Sequence, residues 1–138
     1  MIEKDILQYY QTITQITDII PANKIYVTQA PTKAVMPWLI IEPTGGKRVR
    51  ISAYKGEATN LVRICVDAGP TNWIASRNAI ENARIALENM RGTLGDATDI
   101  VITTGEISTY MGLNGSYRYS FPATCKYTFP WNIQRPLV

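Results

Sequence analysis

The chain has 138 residues, of which 46% are hydrophobic and 18% are charged, and its net charge is +3. This length suits a single domain, predicted to span residues 1–138, and the composition is that of an ordinary globular protein. The chain contains no histidine, the commonest general base near neutral pH, and two cysteines cannot fill a tetrahedral zinc site. We therefore expect no enzymatic activity, no metal and no other cofactor.

The sequence also predicts the compartment in which the protein stays. No apolar run approaches the roughly 20 residues needed to span a bilayer, and residues 1–5 lack the features of a signal peptide. We expect the chain to stay in the cytoplasm of the cell that makes it. Cys65 and Cys125 lie in apolar, strand-like segments and are interpreted as small buried residues. A disulfide between neighbouring strands is the alternative.

The N-terminal third begins with a helix. Isoleucines and tyrosines recur at steps of three and four over about Glu3–Ile20, which predicts one amphipathic helix ended by Pro21. A short strand over 24–28 and a loop over 29–36 follow. Residues 37–42 are almost continuously apolar and β-branched, which is typical of a central strand covered on both faces.

A basic β-hairpin arm comes next. Residues 47–63 contain five basic residues and one acidic residue, so this stretch carries +4 while the rest of the chain sums to −1. Glycines at 45, 46 and 56 are expected to form bends around the arm. The candidate contact residues are Lys47, Arg48, Arg50 and Lys55. The arm either attracts a polyanion or an acidic protein ring, or is a solvated hairpin whose charge prevents edge aggregation.

Residues 60–67 form the next predicted strand. A helix then runs from Trp73 to about Arg91 and is stopped by Gly92. Its expected buried stripe consists of Trp73, Ser76, Ile80, Ala83, Leu87 and Met90. Basic and acidic residues four apart, Arg77 with Glu81 and Arg84 with Glu88, support the helix on its exposed side.

The C-terminal third is predicted to be a strand over 99–104 and then a hairpin. Asn114-Gly115 predicts a two-residue type I′ turn. This register places Leu113 opposite Ser116, Tyr110 opposite Tyr119 and Ser108 opposite Phe121. Alternation then continues to Phe129, with a bulge or sheet edge expected at Pro122. Residues 130–138 are expected to form an irregular tail that Trp131 could anchor.

The elements together predict an α+β fold: a mainly antiparallel β-sheet, two helices packed on one face and a projecting basic β-hairpin arm.

Two further patterns each have a functional and a simpler interpretation. Asp96, Asp99 and Glu106 form a local acidic cluster that could hold Mg²⁺, but aspartate is common in connections for turn reasons. The row of Tyr117, Tyr119 and Phe121 could stack bases, but such a row is more often the core face of a strand.

In element order and local sequence the chain resembles the tail-completion, or tail-terminator, proteins of long-tailed bacteriophages. The resemblance is carried by the N-terminal helix leading into Ile25-Tyr26-Val27, a loop with Ala30-Pro31, and Pro37-Trp38-Leu39-Ile40-Ile41. The charged arm, the strand 61–67, the helix 73–91 and the C-terminal strands complete it. It covers nearly the whole chain as a pattern of elements, without an invariant motif.

The resemblance implies a structural virion protein of the tail and neck, assembled in the host cytoplasm. Members of that family cap the tail tube as a six-fold ring, end its polymerisation and present a surface to the head-side connector. Lys47, Arg48, Arg50 and Lys55 would then line a lumen that passes DNA, or dock onto an acidic ring of the tube or connector.

Two other functions fit the same sequence. The chain could be another neck or head-completion subunit. It could instead be a small nucleic-acid-binding module that uses the basic arm, in which case its affinity for free DNA would fall steeply with salt.

Overall fold

A computed structural model describes residues 2–112 and 115–131. The elements are helices α1 (Ile2–Tyr10) and α2 (Thr14–Thr17), a 3₁₀ turn (Ala22–Lys24), strands β1 (Ile25–Val27), β2 (Trp38–Arg50) and β3 (Lys55–Ala68), helix α3 (Trp73–Glu88), and strands β4 (Gly92–Leu94), β5 (Ala97–Thr104), β6 (Ser108–Met111) and β7 (Tyr117–Pro130). The predicted α+β class is confirmed. Within the described ranges, none of the helices has the length and apolarity to cross a bilayer.

Within the described residues the sheet has seven strands in the order β1-β2-β3-β7-β5-β4, with β6 also paired to β7. All pairs are antiparallel except β1 with β2. Strands β3 and β7 pair along their whole length, from Lys55 opposite Pro130 to Ala68 opposite Tyr117. At about 3.3 Å per residue this ladder is about 45 Å long, so the basic hairpin and the β6–β7 connection lie at opposite ends of the molecule.

The core lies on one face of the sheet. Alternate residues of β3 and β7, such as Val62, Ile64 and Phe121, point to this face and are buried with the apolar sides of the helices. The Tyr10 hydroxyl donates to the Ala83 carbonyl at 2.9 Å and joins α1 to α3. The predicted packing of helices on one face is therefore confirmed.

The N-terminal helix is broken, contrary to the single helix expected over Glu3–Ile20. Helix α1 ends at Tyr10 and α2 begins at Thr14, because Ile13 is extended at φ −98°, ψ 110°. The Thr12 hydroxyl donates to the Tyr9 carbonyl at 2.6 Å, one of the local bonds by which threonine competes with the helix. The break leaves both Ile6 and Ile16 fully buried.

Helix α3 ends at Glu88, three residues before the predicted end. The Arg91 guanidinium donates to the carbonyls of Glu88 and Met90 at 2.8 and 2.7 Å and so caps the last turn. The buried stripe differs at its start: Trp73 is 42% exposed, whereas Ala79, absent from the prediction, is fully buried. The chain then forms β4, which the sequence did not predict.

The β6–β7 register is one residue away from the prediction. Tyr110 pairs with Arg118 and not with Tyr119, and Ser108 pairs with Ser120. The Gly112 N–H donates to the Ser116 carbonyl at 2.9 Å, so the connection has three residues and not two. Leu113 and Asn114, and with them most of the expected type I′ turn, lie outside the described residues.

The slip moves Tyr110 to the opposite face from Tyr119, because side chains alternate along a strand. Tyr110 is accordingly 69% exposed.

Strand β7 runs through Pro122 without a register shift against β3, so the expected bulge is absent. Pro122 lies between the part of β7 that pairs with β6 and the part that pairs with β5. Its carbonyl accepts from the Gly105 N–H at 2.8 Å. Its missing N–H therefore faces a gap in the ladder.

The strand continues to Pro130, where a tail was expected. Trp131 anchors the end of the strand, because its backbone N–H donates to the Tyr54 carbonyl at 2.8 Å. Residues 132–138 lie outside the described part.

Candidate interaction surface

The basic arm is a β-hairpin formed by the distal halves of β2 and β3. Arg50 pairs with Gly56, and the Ile51 N–H closes the turn on the Lys55 carbonyl at 2.9 Å. Every residue of β2 from Pro43 to Arg50 is exposed, in contrast to the buried Leu39–Ile41. The arm thus extends beyond the part of the sheet that the helices cover. Strand β7 continues to pair with β3 along the side of the arm.

The glycines of the arm lie within its paired strands and not at its turn. Gly45 and Gly46 lie within β2, beside a register shift between Pro43 and Gly45, which is a β-bulge. Gly56 pairs with Phe129, and a Cβ placed on it would lie 2.5 Å from Phe129 Cζ and 2.7 Å from Trp131 Cε3. Glycine at 56 therefore gives the two aromatic rings space against the strand.

The four predicted contact residues divide between the two faces of the hairpin. Arg48 and Arg50 share the core-side face, because they pair with Ala58 and Gly56 and lie over the rings of β7. Lys47 alternates to the opposite face, on which none of the described helices lies, and Lys55 shares that face with Glu57. The sequence placed all four in one arm but did not separate the faces.

The two arginines are held over aromatic rings. The guanidinium carbon of Arg48 lies 4.9 Å from the centre of the Phe129 ring, and that of Arg50 lies 5.7 Å from Trp131. Arg50 Nε also donates to the Ser52 carbonyl at 3.1 Å. Each exposed cation–π contact is worth about 0.5–1 kcal/mol. The contacts restrain both guanidinium groups, and Arg50 Nη2 also donates to the Ala53 carbonyl at 3.4 Å.

The opposite face of the arm carries a shallow depression of about 180 Å³, lined by Lys47, Val49, Ile51, Glu57 and Thr59. Val49 and Ile51 are 54% and 55% exposed. The depression is smaller than the roughly 300–1,000 Å³ of typical small-molecule pockets. A flat contact with a macromolecule suits this face better than a small ligand.

A second charged group, which the sequence reasoning missed, lies at the other end of the open face. Asp67 accepts from Trp38 Nε1 at 2.7 Å and from Arg118 Nε and Nη2 at 2.7 and 3.0 Å. The hydrogen bond to Asp67 raises the pKa of Arg118. All three residues are cross-strand neighbours, so only the strand register could have revealed the group.

The acidic cluster does not come together as a metal site. Asp96 lies in the β4–β5 turn, Asp99 at a bulge in β5, and Glu106 just beyond the end of β5, and all three are exposed. Within the described ranges, no group of three or more cysteine or acidic side chains is placed to hold a metal ion. The three residues are instead spread along β5 and its two connections, and Asp99 Oδ2 accepts from the Thr128 hydroxyl at 3.4 Å.

The aromatic row of β7 belongs to the core. Tyr119 and Phe121 are buried, and Tyr117 stacks between Trp73 and Tyr119. This burial contradicts the base-stacking interpretation.

Both cysteines are free and buried, as expected. They lie on opposite faces of the sheet, because Cys125 belongs to the core cluster and Cys65 alternates with core residues Ile64 and Val66.

Comparison with known proteins gives a likeness of fold. No protein-family model and no curated protein matches this sequence. A chain from a structure described as the virion of a native gene transfer agent particle superposes with a TM-score of 0.69 at 9% identity, over 91% of this chain and 93% of that chain. A second chain, from a structure described as lacking its transmembrane region, from Akkermansia muciniphila, reaches a TM-score of only 0.27 at 10% identity, over 66% and 46%.

Proposed function

We propose that this chain is a structural protein of a phage-like virion that caps the tail tube as a ring, ends tube polymerisation and forms the tail-side surface of the head–tail junction. The observation that carries the proposal is the shared fold with a chain of a gene transfer agent virion over nine-tenths of both chains. At 9% identity the likeness shows a shared fold. The position of this chain within the particle is therefore what we propose in addition to the fold.

The form of the molecule suits such a role. The basic arm and the β6–β7 connection stand about 45 Å apart at the two ends of the β3–β7 ladder, so one subunit offers a different surface at each end. A cap between a tube and a connector needs two such surfaces. The exposed cations Lys47, Arg48, Arg50 and Lys55 are the proposed contacts with a virion partner or with DNA in the lumen.

The test is tail joining with an arm variant. We expect the double variant Arg48→Glu/Arg50→Glu to remain folded by circular dichroism but to fail to join tails to filled heads. The matched control Lys24→Glu/Lys33→Glu makes the same change in net charge outside the arm and should join normally. Infectious particles in normal yield from the arm variant would contradict the proposal.

Two binding assays separate the other interpretations. A tail cap should bind purified tail tubes, whereas a head-completion subunit should bind DNA-filled heads without tails. A nucleic-acid module should bind free duplex DNA tightly, with an affinity that falls steeply between 50 and 200 mM salt. We expect binding to tubes and only weak binding to free DNA.

A further inference from the structure

We propose that an extended segment of the tail-tube protein pairs with the outer edge of β6 and adds a strand to the sheet. The inference rests on the proposed function, since it names the surface by which a tail cap would hold the tube. The basic arm lies at the opposite end of the β3–β7 ladder, so it stays available for the head side or for DNA.

The outer edge of β6 is open. Strand β6 pairs with β7, and within the described residues no other strand lies beside it. Each of its residues is exposed. The Gly112 N–H donates to the Ser116 carbonyl at 2.9 Å, so alternation along the strand turns the N–H and C=O groups of Thr109 and Met111 away from β7. An extended chain beside β6 would bond to these outward groups.

This edge lacks the features that usually prevent a free strand from pairing. Native edges are commonly blocked by charged side chains, prolines or bulges. The free part of β2 has all three, namely a register shift, Pro43, and the cations Lys47, Arg48 and Arg50. Residues 107–117, by contrast, include no charged residue and no proline, and β6 pairs with β7 in one continuous register. An edge without such protection favours a partner strand that covers it after assembly.

The side chains at the edge indicate the chemistry of the partner segment. Tyr110 and Met111 are 69% and 68% exposed, and they lie on opposite faces of the sheet because they are adjacent in a strand. Met111 pairs with Tyr117, whose ring lies 5.7 Å from that of the half-exposed Trp73. An added strand would therefore meet an apolar side chain on each face. This end of the molecule fits an uncharged segment with apolar or β-branched residues.

The contrast between the two ends favours the tube as the owner of this segment. A cap stays on its tube, and permanent contacts are more apolar than transient ones. Joining to a head brings together two preformed particles, and charged surfaces speed such encounters. The uncharged β6 end therefore suits the tube, and the basic arm suits the later contact.

Hydrogen exchange tests the added strand directly. The full chain is compared free and bound to purified tail tubes, with amide exchange read by mass spectrometry at the resolution of single residues. We expect the amides of Thr109 and Met111 to exchange rapidly in the free protein at every concentration, and to slow by about ten-fold or more on tubes. The Tyr110 amide points to β7 and serves as the internal reference, because it should be protected in both states.

A proline at position 109 tests the same contact by mutation. Thr109→Pro removes an outward N–H and places a ring in the path of the incoming strand, but it takes no hydrogen bond from β7. We expect this variant to match the wild type in circular dichroism and to bind tubes about ten-fold more weakly in co-sedimentation. Thr109→Val is the matched control, because it keeps the N–H and should retain the binding.

Three results would overturn the inference. They are wild type that binds tubes without slower exchange at Thr109 and Met111, a folded Thr109→Pro variant that binds tubes normally, and slower exchange of the two amides as the free protein is concentrated. The last result would show a second copy on the edge. If Thr109→Pro does not fold, the exchange measurement on the wild type decides. Wild type that does not bind tubes contradicts the proposed function itself, whereas binding without protection contradicts only the strand contact.

Discussion

Asp67 and Arg118 face each other across β3 and β7 and form a two-point ion pair, with Nε to Oδ1 at 2.7 Å and Nη2 to Oδ2 at 3.0 Å. The Asp67 side chain is only 13% exposed, whereas that of Arg118 is 41% exposed. Trp38 donates to the same carboxylate from β2. One acidic group thus links three adjacent strands on the face opposite to the one that the described helices cover.

Removal of one partner from this group should cost stability. Arg118→Ala leaves the largely buried Asp67 carboxylate with only the Trp38 donor, and we expect a loss of about 1–3 kcal/mol in the free energy of unfolding. Glu81→Ala is the matched control, because it removes an exposed helix pair, Arg77–Glu81 at 3.1 Å, worth about 0.2–0.5 kcal/mol. Urea unfolding followed by tryptophan fluorescence measures both, and equal midpoints would refute the role given to Arg118.

Gly56 should not tolerate a methyl group. A Cβ there would overlap the Phe129 and Trp131 rings at 2.5–2.9 Å, so Gly56→Ala should destabilise the protein by about 1–3 kcal/mol through overpacking. Gly69→Ala provides the comparison, since its Cβ would meet only Asn72 Oδ1 at 3.7 Å. The readout is thermal unfolding, and an unchanged midpoint for Gly56→Ala would show that the rings do not pack on this strand in solution.

The two thiols should be inert in the folded protein. Burial raises the pKa of Cys65 to about 11 and that of Cys125 to about 12, so neither supplies appreciable thiolate at pH 8. A thiol reagent such as Ellman's should release nearly no chromophore from native protein and two equivalents after unfolding in urea. Rapid reaction of even one equivalent in the native state would contradict the burial described here.

Glu88 should make stability depend on pH in the acidic range. The hydrogen bond from Thr104, with help from Arg84, lowers its pKa from the ordinary value of 4.5. Its contribution is therefore fully present above that value and is lost as pH falls through the lower, folded-state pKa. Glu88→Gln should be less stable than wild type at pH 7, and the difference should shrink as the pH falls below 4.5. A stability difference that stayed constant from pH 7 to pH 3 would exclude this linkage.

Local patterns predicted several elements well. Three kinds of feature were predicted correctly because each depends on residues close together in the chain. They are the alternation over Ala123–Phe129, the apolar run at Leu39–Ile41 and the ion pairs Arg77–Glu81 and Arg84–Glu88. The basic arm was predicted for the same reason, since its basic residues lie close together in the sequence.

Features that depend on contacts between distant segments were missed. The two-residue turn expected at Asn114-Gly115 placed Tyr110 opposite Tyr119, but the structure pairs it with Arg118. The aromatic partners of Arg48 and Arg50 lie about eighty residues farther along the chain, and no local signal connects them.

The sequence by itself determined most of the helices and strands, the apolar faces of the strands and the place where the positive charge is concentrated, because propensity and periodicity act over a few residues. Only the tertiary structure decided the strand register, the separation of Lys47 from Arg48 between two faces, and the stacking of Arg48 and Arg50 on Phe129 and Trp131. These depend on which strands pair and with what offset, and that choice is made by the packing of the whole core.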